Sequence, residues 1–193
     1  GSEMCIRDRD ERTAEIYDNY LIKNKKDKQA WLIASNLHIK HKDFERAKEI
    51  IDEATRYFRR DSDIQQQQQF LDHKLNIEPH LSIFNRASEQ YQNQRYAQAV
   101  RLLDEFIEKV PSHTNAFQIR AFSHYYLNNY EACIADANAA LDIDGTNASL
   151  INLRGVCYRA LNRLDEACEE FRKAMEMGNA SGKTNHERFC GGS

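Results

Sequence analysis

Ile151-Asn-Leu-Arg-Gly155-Val-Cys-Tyr158 falls onto Phe117-Gln-Ile-Arg-Ala121-Phe-Ser-His124 after a step of 34 residues, and onto Ile83-Phe-Asn-Arg-Ala87-Ser-Glu-Gln90 after a second. In each copy an arginine (Arg86, Arg120, Arg154) precedes a small residue. Twelve positions later comes a second small residue, Ala99, Cys133 or Ala167, and seven further on stand Phe106, Ala140 and Ala174. Tyr96, Tyr130 and Leu164 precede the second small set by three. No insertion is needed, so three units run over 80–113, 114–147 and 148–181.

Within a unit the apolar spacing is helical. Ala99, Val100, Leu103, Phe106, Ile107 and Val110 share one stripe of a helix. Each unit therefore reads as two helices, joined near Asn93–Gln94, Asn128–Asn129 and Asn162–Arg163. Small residues recur where two helices approach closely, and large ones fill the space beside them. One pair cannot bury its apolar face alone, whereas stacked neighbours can, which is the physical content of a fixed period.

These residues resemble the tetratricopeptide repeat, with its pattern W-x2-L-G-x2-Y, A-x3-F and a closing P. The unit 148–181 supplies Ile151, Arg154, Gly155, Tyr158, Ala167 and Phe171. The unit 80–113 supplies Ile83, Ala87, Ala99, Leu103 and Pro111, and the middle unit Phe117, Ala121, Cys133 and Ala137, with Gly145 where the proline would stand. All three carry Arg in place of the pattern's Leu. The resemblance implies an all-α fold, a right-handed superhelical solenoid of antiparallel helix pairs.

Upstream of these units a diverged unit fits 28–61, with Trp31, Ala34, Ser35 and His38 followed by Phe44, Ala47, Ile51 and Ala54. Ser35 lies 52 residues before Ala87, eighteen more than one period, so an extra helix is expected over 62–79. Ser62 through Gln65 reads as its capping box, Pro79 as its end, and Ile64, Leu71 and Leu75 as its buried face. This helix, which holds the glutamines 65–69, is expected to offset two subarrays. Residues 10–24, with Ala14, Tyr17 and Leu21, read as the second helix of a preceding unit whose first helix would lie before residue 1. Together 10–61 form an N-terminal helix plus one diverged repeat. Residues 1–9 read as a tag scar and translated sequencing adapter, and 182–193 as a C-terminal cap and tail.

The 193 residues are 41% hydrophobic and 30% charged, with only 7 Gly and 2 Pro, a helical composition. A net charge of −3 gives no general drive toward nucleic acid or anionic membrane. No apolar run reaches the length of a membrane span, and the N-terminus lacks the apolar segment of a signal peptide. Cys5, Cys133, Cys157, Cys168 and Cys190 are odd in number without a C-x-x-C, so free, semi-buried thiols and a reducing, cytoplasmic setting are expected.

Several motifs yield to simpler readings. Gly178 to Thr184 mimics a phosphate loop but has one residue too few between its glycines and follows a helix, so a helix stop and loop are expected. His38 and His41 read as one packed and one solvated histidine rather than a metal pair, and Cys157 and Cys168 as packing. Asp165, Glu166, Glu169 and Glu170 read as a solvated acidic face. Asn147-Ala-Ser149 and Asn179-Ala-Ser181 match the glycosylation sequon. Lys23, Lys25, Lys26, Lys28, Lys40 and Lys42 read as a solvated patch, with RNA binding as the alternative. No catalytic constellation, cofactor site or metal site is expected.

The resemblance implies that first helices line a concave, peptide-binding face. Matched position by position, that face takes Phe84, Ser88, Tyr91 and Gln92 from the first unit, Asn115, Gln118, Phe122, Tyr125 and Tyr126 from the second, and Asn152, Val156, Arg159 and Ala160 from the third. Rings offer contact area and amides can bond a peptide backbone. A family subgroup clamps the carboxylate end of chaperone tails with Lys, Asn and Arg. Those positions here hold Phe84, Ser88, Ile119, Ser149 and Leu153, so that activity does not carry over. Arg86, Arg120 and Arg154 are expected to pack their stems between repeats, with their heads reaching acidic or carbonyl groups. The function expected is a non-catalytic scaffold or adaptor that binds a protein or peptide partner. The alternatives are a substrate-docking or regulatory segment of a larger enzyme and an RNA-binding helical repeat.

Overall fold

A computed structural model of the chain describes residues 2–191, with side chains from Arg12 onward. Cys5 and the whole 1–9 stretch thus lie outside the described side chains, although the first helix begins at Ser2. The chain divides into two compact units, 1–79 and 80–193.

The first unit holds α1 (Ser2–Lys23), α2 (Lys28–Lys40), α3 (Phe44–Ala54) and α4 (Ser62–Asp72). Its core gathers Leu21 of α1, Trp31 and Ala34 of α2, Ile50 and Ile51 of α3, and Ile64 and Leu71 of α4. Aspartates start three of these helices: Asp27 accepts from the Ala30 N–H, Asp43 from Arg46, and Asp61 from Asp63 and Ile64. The cap of α4 is therefore Asp61, one residue before the expected Ser62. Nor is 62–79 a single helix: after Asp72 come a wide turn over His73–Ile77 and a 3-10 turn over Glu78–His80. Pro79 accounts for this, since it has no N–H to donate and its ring collides with the carbonyl four residues back. Gln67 uses its amide to reach Ser35 and Asn36 of α2, at 3.1 and 2.9 Å. His38 stands between Asp18 and Asp43, at 3.6 and 3.5 Å. Both His38 and His41 are partly buried, so neither is the solvated member of a pair.

The second unit holds α5 (Leu81–Gln92), α6 (Tyr96–Lys109), α7 (Thr114–Tyr126), α8 (Tyr130–Ile143), α9 (Ala148–Ala160), α10 (Leu164–Glu176) and α11 (Ala180–Phe189). Each helix packs on its successor, so that antiparallel pairs stack side by side. The turns within pairs are built alike. Lys42, Gln94, Asn128 and Asn162 take left-handed backbone, with φ of 61°, 58°, 60° and 61°. The N–H of the next residue returns to a carbonyl five positions back, as from Arg95 to Gln90 at 2.8 Å and from Asn129 to His124 at 2.9 Å. This closes the carbonyl end of the first helix. Gly178, at φ 83°, repeats the device before α11. Left-handed backbone disfavours a side chain such as glutamine. We therefore expect Gln94→Gly to stabilise the protein by about 0.5–1 kcal/mol, the relief of strain outweighing the added chain entropy. Urea unfolding measures this, and a loss of stability would show that the Gln94 side chain itself contributes.

Close contact explains the small residues. A Cβ added to Gly155 would stand 2.7 Å from the ring of Phe171, which is fully buried. Two of the three arginines that replace the pattern's leucine, Arg120 and Arg154, bridge successive second helices. Arg120 donates from Nε and Nη2 to Asp136 of α8, at 2.8 and 2.6 Å, and from Nη1 to Asp104 of α6 at 2.7 Å. Arg154 repeats this one period on, donating to Glu170 of α10 and to Asn138 of α8. Asp136 and Glu170 are 5% and 6% exposed. The expected solvated acidic face is therefore wrong at Glu170, which the Arg154 guanidinium draws inward.

Burial beside this ladder lowers the pKa of His124, an effect only partly opposed by the Asp136 carboxylate. A His with a depressed folded-state pKa binds its proton more readily once unfolded, so stability rises with pH through that region. We expect stability to fall as pH drops from 7 through the unfolded pKa near 6.5 toward the lower folded value. His124→Gln should flatten that slope in urea titrations between pH 5 and 7.5.

The cysteines depart from expectation. Cys168 of α10 and Cys190, at the end of α11, form a disulfide. Only Cys133 and Cys157 are free among the described cysteines; both are buried, with their sulfurs 2.8 Å apart. Cys157 thus meets Cys133 of the preceding pair, not Cys168. The mutual bond and burial push the Cys133 thiol well above its ordinary pKa, so it is inert at neutral pH. The disulfide overturns the free-thiol expectation for Cys168 and Cys190 and weakens the grounds for a reducing compartment.

Candidate functional site

In the second unit, α7 touches α9 and α9 touches α11. Between them opens a pocket of about 330 Å³. Phe122 and Tyr125 of α7 form one wall, and Ser149, Asn152, Leu153 and Val156 of α9 the floor. Asn179 and Ser181, at the start of α11, complete it. The lining holds no charged side chain.

Capping residues hold these helices in place. Asn147 accepts from the Leu150 N–H at 3.1 Å, and Asn179 from the Gly182 N–H at 2.7 Å. The two sequon asparagines are therefore helix caps. Gly178 to Thr184, expected as a stop and a loop, is instead a tight turn running directly into α11. A Cβ at Gly182 would stand 2.6 Å from the Cβ of Ala174, so only glycine lets α11 approach α10 this closely.

The amides are partly engaged with one another. Asn147 donates to the Gln118 carbonyl oxygen at 3.1 Å, and Asn185 of α11 to that of Asn152 at 2.9 Å. Both acceptors are occupied, which leaves the NH2 groups of Gln118 and Asn152 as donors. Such donors suit the carbonyl oxygens of an extended chain.

The other expected face residues scatter. Tyr91, Tyr125 and Tyr126 join Tyr96 and Tyr130 in a tyrosine cluster, in which Tyr96 and Tyr126 stack at 4.5 Å. Tyr126 remains 50% exposed. Burial raises the pKa of Tyr91 and Tyr125, so both keep their hydroxyl protons at neutral pH. Phe84 packs between Phe106 and His113, at 5.2 and 4.6 Å, and the Ser88 hydroxyl donates back to the Phe84 carbonyl. Gln92 and Asn115 are exposed and away from the pocket lining. Arg159 lies over the ring of Phe189 at 4.1 Å. Asn179 and Ser181 were not expected at the site. Their signal was the repetition of Asn147-Ala-Ser149 as Asn179-Ala-Ser181, the same helix start written again.

Among the described residues no three His, Cys, Asp or Glu side chains converge as metal ligands, and no helix is long and apolar enough to cross a membrane.

Tetratricopeptide-repeat models match residues 84–148 and 148–177. Residues 84–177 are thus tetratricopeptide repeats, and the all-α fold matches tetratricopeptide-repeat solenoids. Among solved structures it is similar to the Arabidopsis OM64 TPR domain, at 22% identity and a TM-score of 0.58, over 61% of this chain and 99% of that one. It is also similar to the second TPR domain of human RPAP3 in complex with the HSP70 peptide SGPTIEEVD, at 20% identity and TM-score 0.54, over 57% and 93% of the two chains. The TPR2AB domain of yeast Sti1 in its pHSP90 complex aligns over 95% of this chain and 79% of that one, at 16% identity and TM-score 0.53. No curated protein sequence matches. The repeat models identify a protein-interaction fold, and these neighbours share its architecture.

Proposed function

We propose that residues 80–193 form a non-catalytic docking module of a scaffold or adaptor, which binds a peptide segment of a partner protein along α7, α9 and α11. The observation that carries this reading is the pocket joining Phe122, Tyr125, Leu153 and Val156 to the free donors of Asn152. An apolar partner side chain would fill it while its backbone accepts from Asn152 and Gln118. RPAP3 binds the acidic tail SGPTIEEVD. The uncharged pocket here suits an uncharged segment instead, because an acidic side chain would lose its water without meeting a cation. Tyr126 and Tyr96 extend the apolar surface toward the turn ends of the helices.

The docking segment of a larger enzyme would use the same groove. The RNA reading loses ground at Lys28, whose ammonium is already bonded to Asp61 and Asp63 at 3.0 and 2.9 Å. A cytoplasmic setting would keep Cys133 and Cys157 reduced, while the Cys168–Cys190 bond favours an oxidising one, and the groove reading is compatible with both.

Amide hydrogen exchange tests the placement. With a captured partner bound, new protection should concentrate in α7, α9 and α11. Protection confined to α6, α8 and α10 would refute it.

A further inference from the structure

The arginine ladder is broken at its first rung. Arg120 and Arg154 each reach a partner sixteen residues ahead, Asp136 or Glu170, and one sixteen residues back, Asp104 or Asn138. For Arg86 those two positions hold Leu102 and Phe70, whose side chains cannot accept a hydrogen bond. Arg86 is exposed and, among the described residues, has no carboxylate partner. It opens instead onto a pocket of about 490 Å³, lined by Arg86 and Gln90 of α5, Arg95 at the turn, and Gln98, Arg101 and Leu102 of α6. Among the side chains of this set the one hydrogen bond runs from Arg95 Nη1 to Gln90 Oε1, at 3.5 Å. Three guanidinium groups thus share one concavity with two amides and no acid, in a protein whose net charge is −3.

We propose that this pocket binds a phosphorylated side chain of a protein partner. A phosphoryl group carries about −1.5 to −2 charges and three acceptor oxygens. Guanidinium forks match its oxygens in pairs, and clustered arginines are the usual means of reading phosphorylated peptides. One carboxylate would satisfy one fork and leave two cations facing each other. RNA fits less well, because the lining has no aromatic ring on which a base could stack. The pocket shares no residue with the α7–α9–α11 groove, so a partner could engage both, the phosphate setting when it does.

Fluorescence anisotropy tests this with the full chain and four probes at fixed salt: a labelled phosphoserine peptide, the same peptide with serine, the same with glutamate, and a single-stranded RNA of equal length. The phosphoserine form is expected to bind at least about tenfold tighter than the serine and glutamate forms, and tighter than the RNA. Arg86→Ala and Arg101→Glu should each remove most of that preference while keeping the wild-type melting curve. Arg172→Ala, an exposed arginine outside the pocket, should leave it intact. Inorganic phosphate should compete, and should compete less against Arg86→Ala. Equal binding of the three peptides, or a preference that survives both folded variants, would overturn the proposal. So would RNA binding more tightly than phosphopeptide. Loss of groove binding in Phe122→Ala leaves these outcomes unchanged, so the two sites fail separately.

Discussion

Glu170→Ala is expected to destabilise the 80–193 unit by about 3 kcal/mol, whereas Glu169→Ala next to it should change stability by less than about 0.5 kcal/mol. The difference lies in what each leaves behind. Glu169 is exposed and holds only Lys173. Glu170 is buried and holds both Nε and Nη2 of Arg154, itself largely covered. Its removal leaves a shielded guanidinium with Asn138 alone. Removing one member of a buried pair commonly costs 3–5 kcal/mol, while replacing both by apolar residues can be neutral. The double variant Arg154→Leu, Glu170→Met should therefore recover much of the loss, giving a large coupling in a double-mutant cycle. Urea midpoints at pH 7 decide it. A Glu170→Ala protein as stable as wild type would mean that the ladder is not structural.

The second large effect concerns α11. Replacing Cys168 and Cys190 by serine is expected to destabilise the C-terminal helix by about 3 kcal/mol, the loop-closure entropy of a bridge spanning 22 residues. Without it α11 keeps Gly182 against Ala174, and Phe189 beneath Arg159 and 6.3 Å from Phe171. Amides of 180–189 should then exchange much faster than those of α9 and α10. Asn179 and Ser181 wall the pocket, so ligand affinity should fall with them. Unchanged exchange in the serine variant, or in the reduced protein, would show that packing alone holds α11.

Much of this architecture was legible because it follows from periodicity. A spacing of 34 with small residues at fixed points dictates helix pairs, and the 52-residue offset from Ser35 to Ala87 recurs in the left-handed turns at Lys42 and Gln94. What depends on neighbours across space was not. Cys168 pairs with Cys190 because α11 folds back on α10, whereas spacing gave it only a packing role in the same helix pair as Cys157. Glu170 reads as one acid among four until the angle of α10 turns it to Arg154. The site was half legible. Phe122, Tyr125 and Asn152 were expected and lie together, whereas Phe84 and Ser88 turn inward to packing and to their own helix. Asn179 and Ser181 enter two residues short of the period, which a strict 34-residue step passes over.

The groove along α7, α9 and α11 is the feature to measure most directly. A partner captured by the full chain, trimmed to its binding peptide, can be titrated by calorimetry against wild type, Phe122→Ala, Tyr125→Ala and Glu169→Ala. Truncating a central aromatic anchor commonly costs 2 kcal/mol or more, and peripheral changes little. Each aromatic variant, checked first for wild-type melting, should weaken the peptide at least about tenfold, roughly 1.4 kcal/mol, and Glu169→Ala should not. Full affinity in well-folded Phe122→Ala and Tyr125→Ala, with loss in Glu169→Ala, would contradict it.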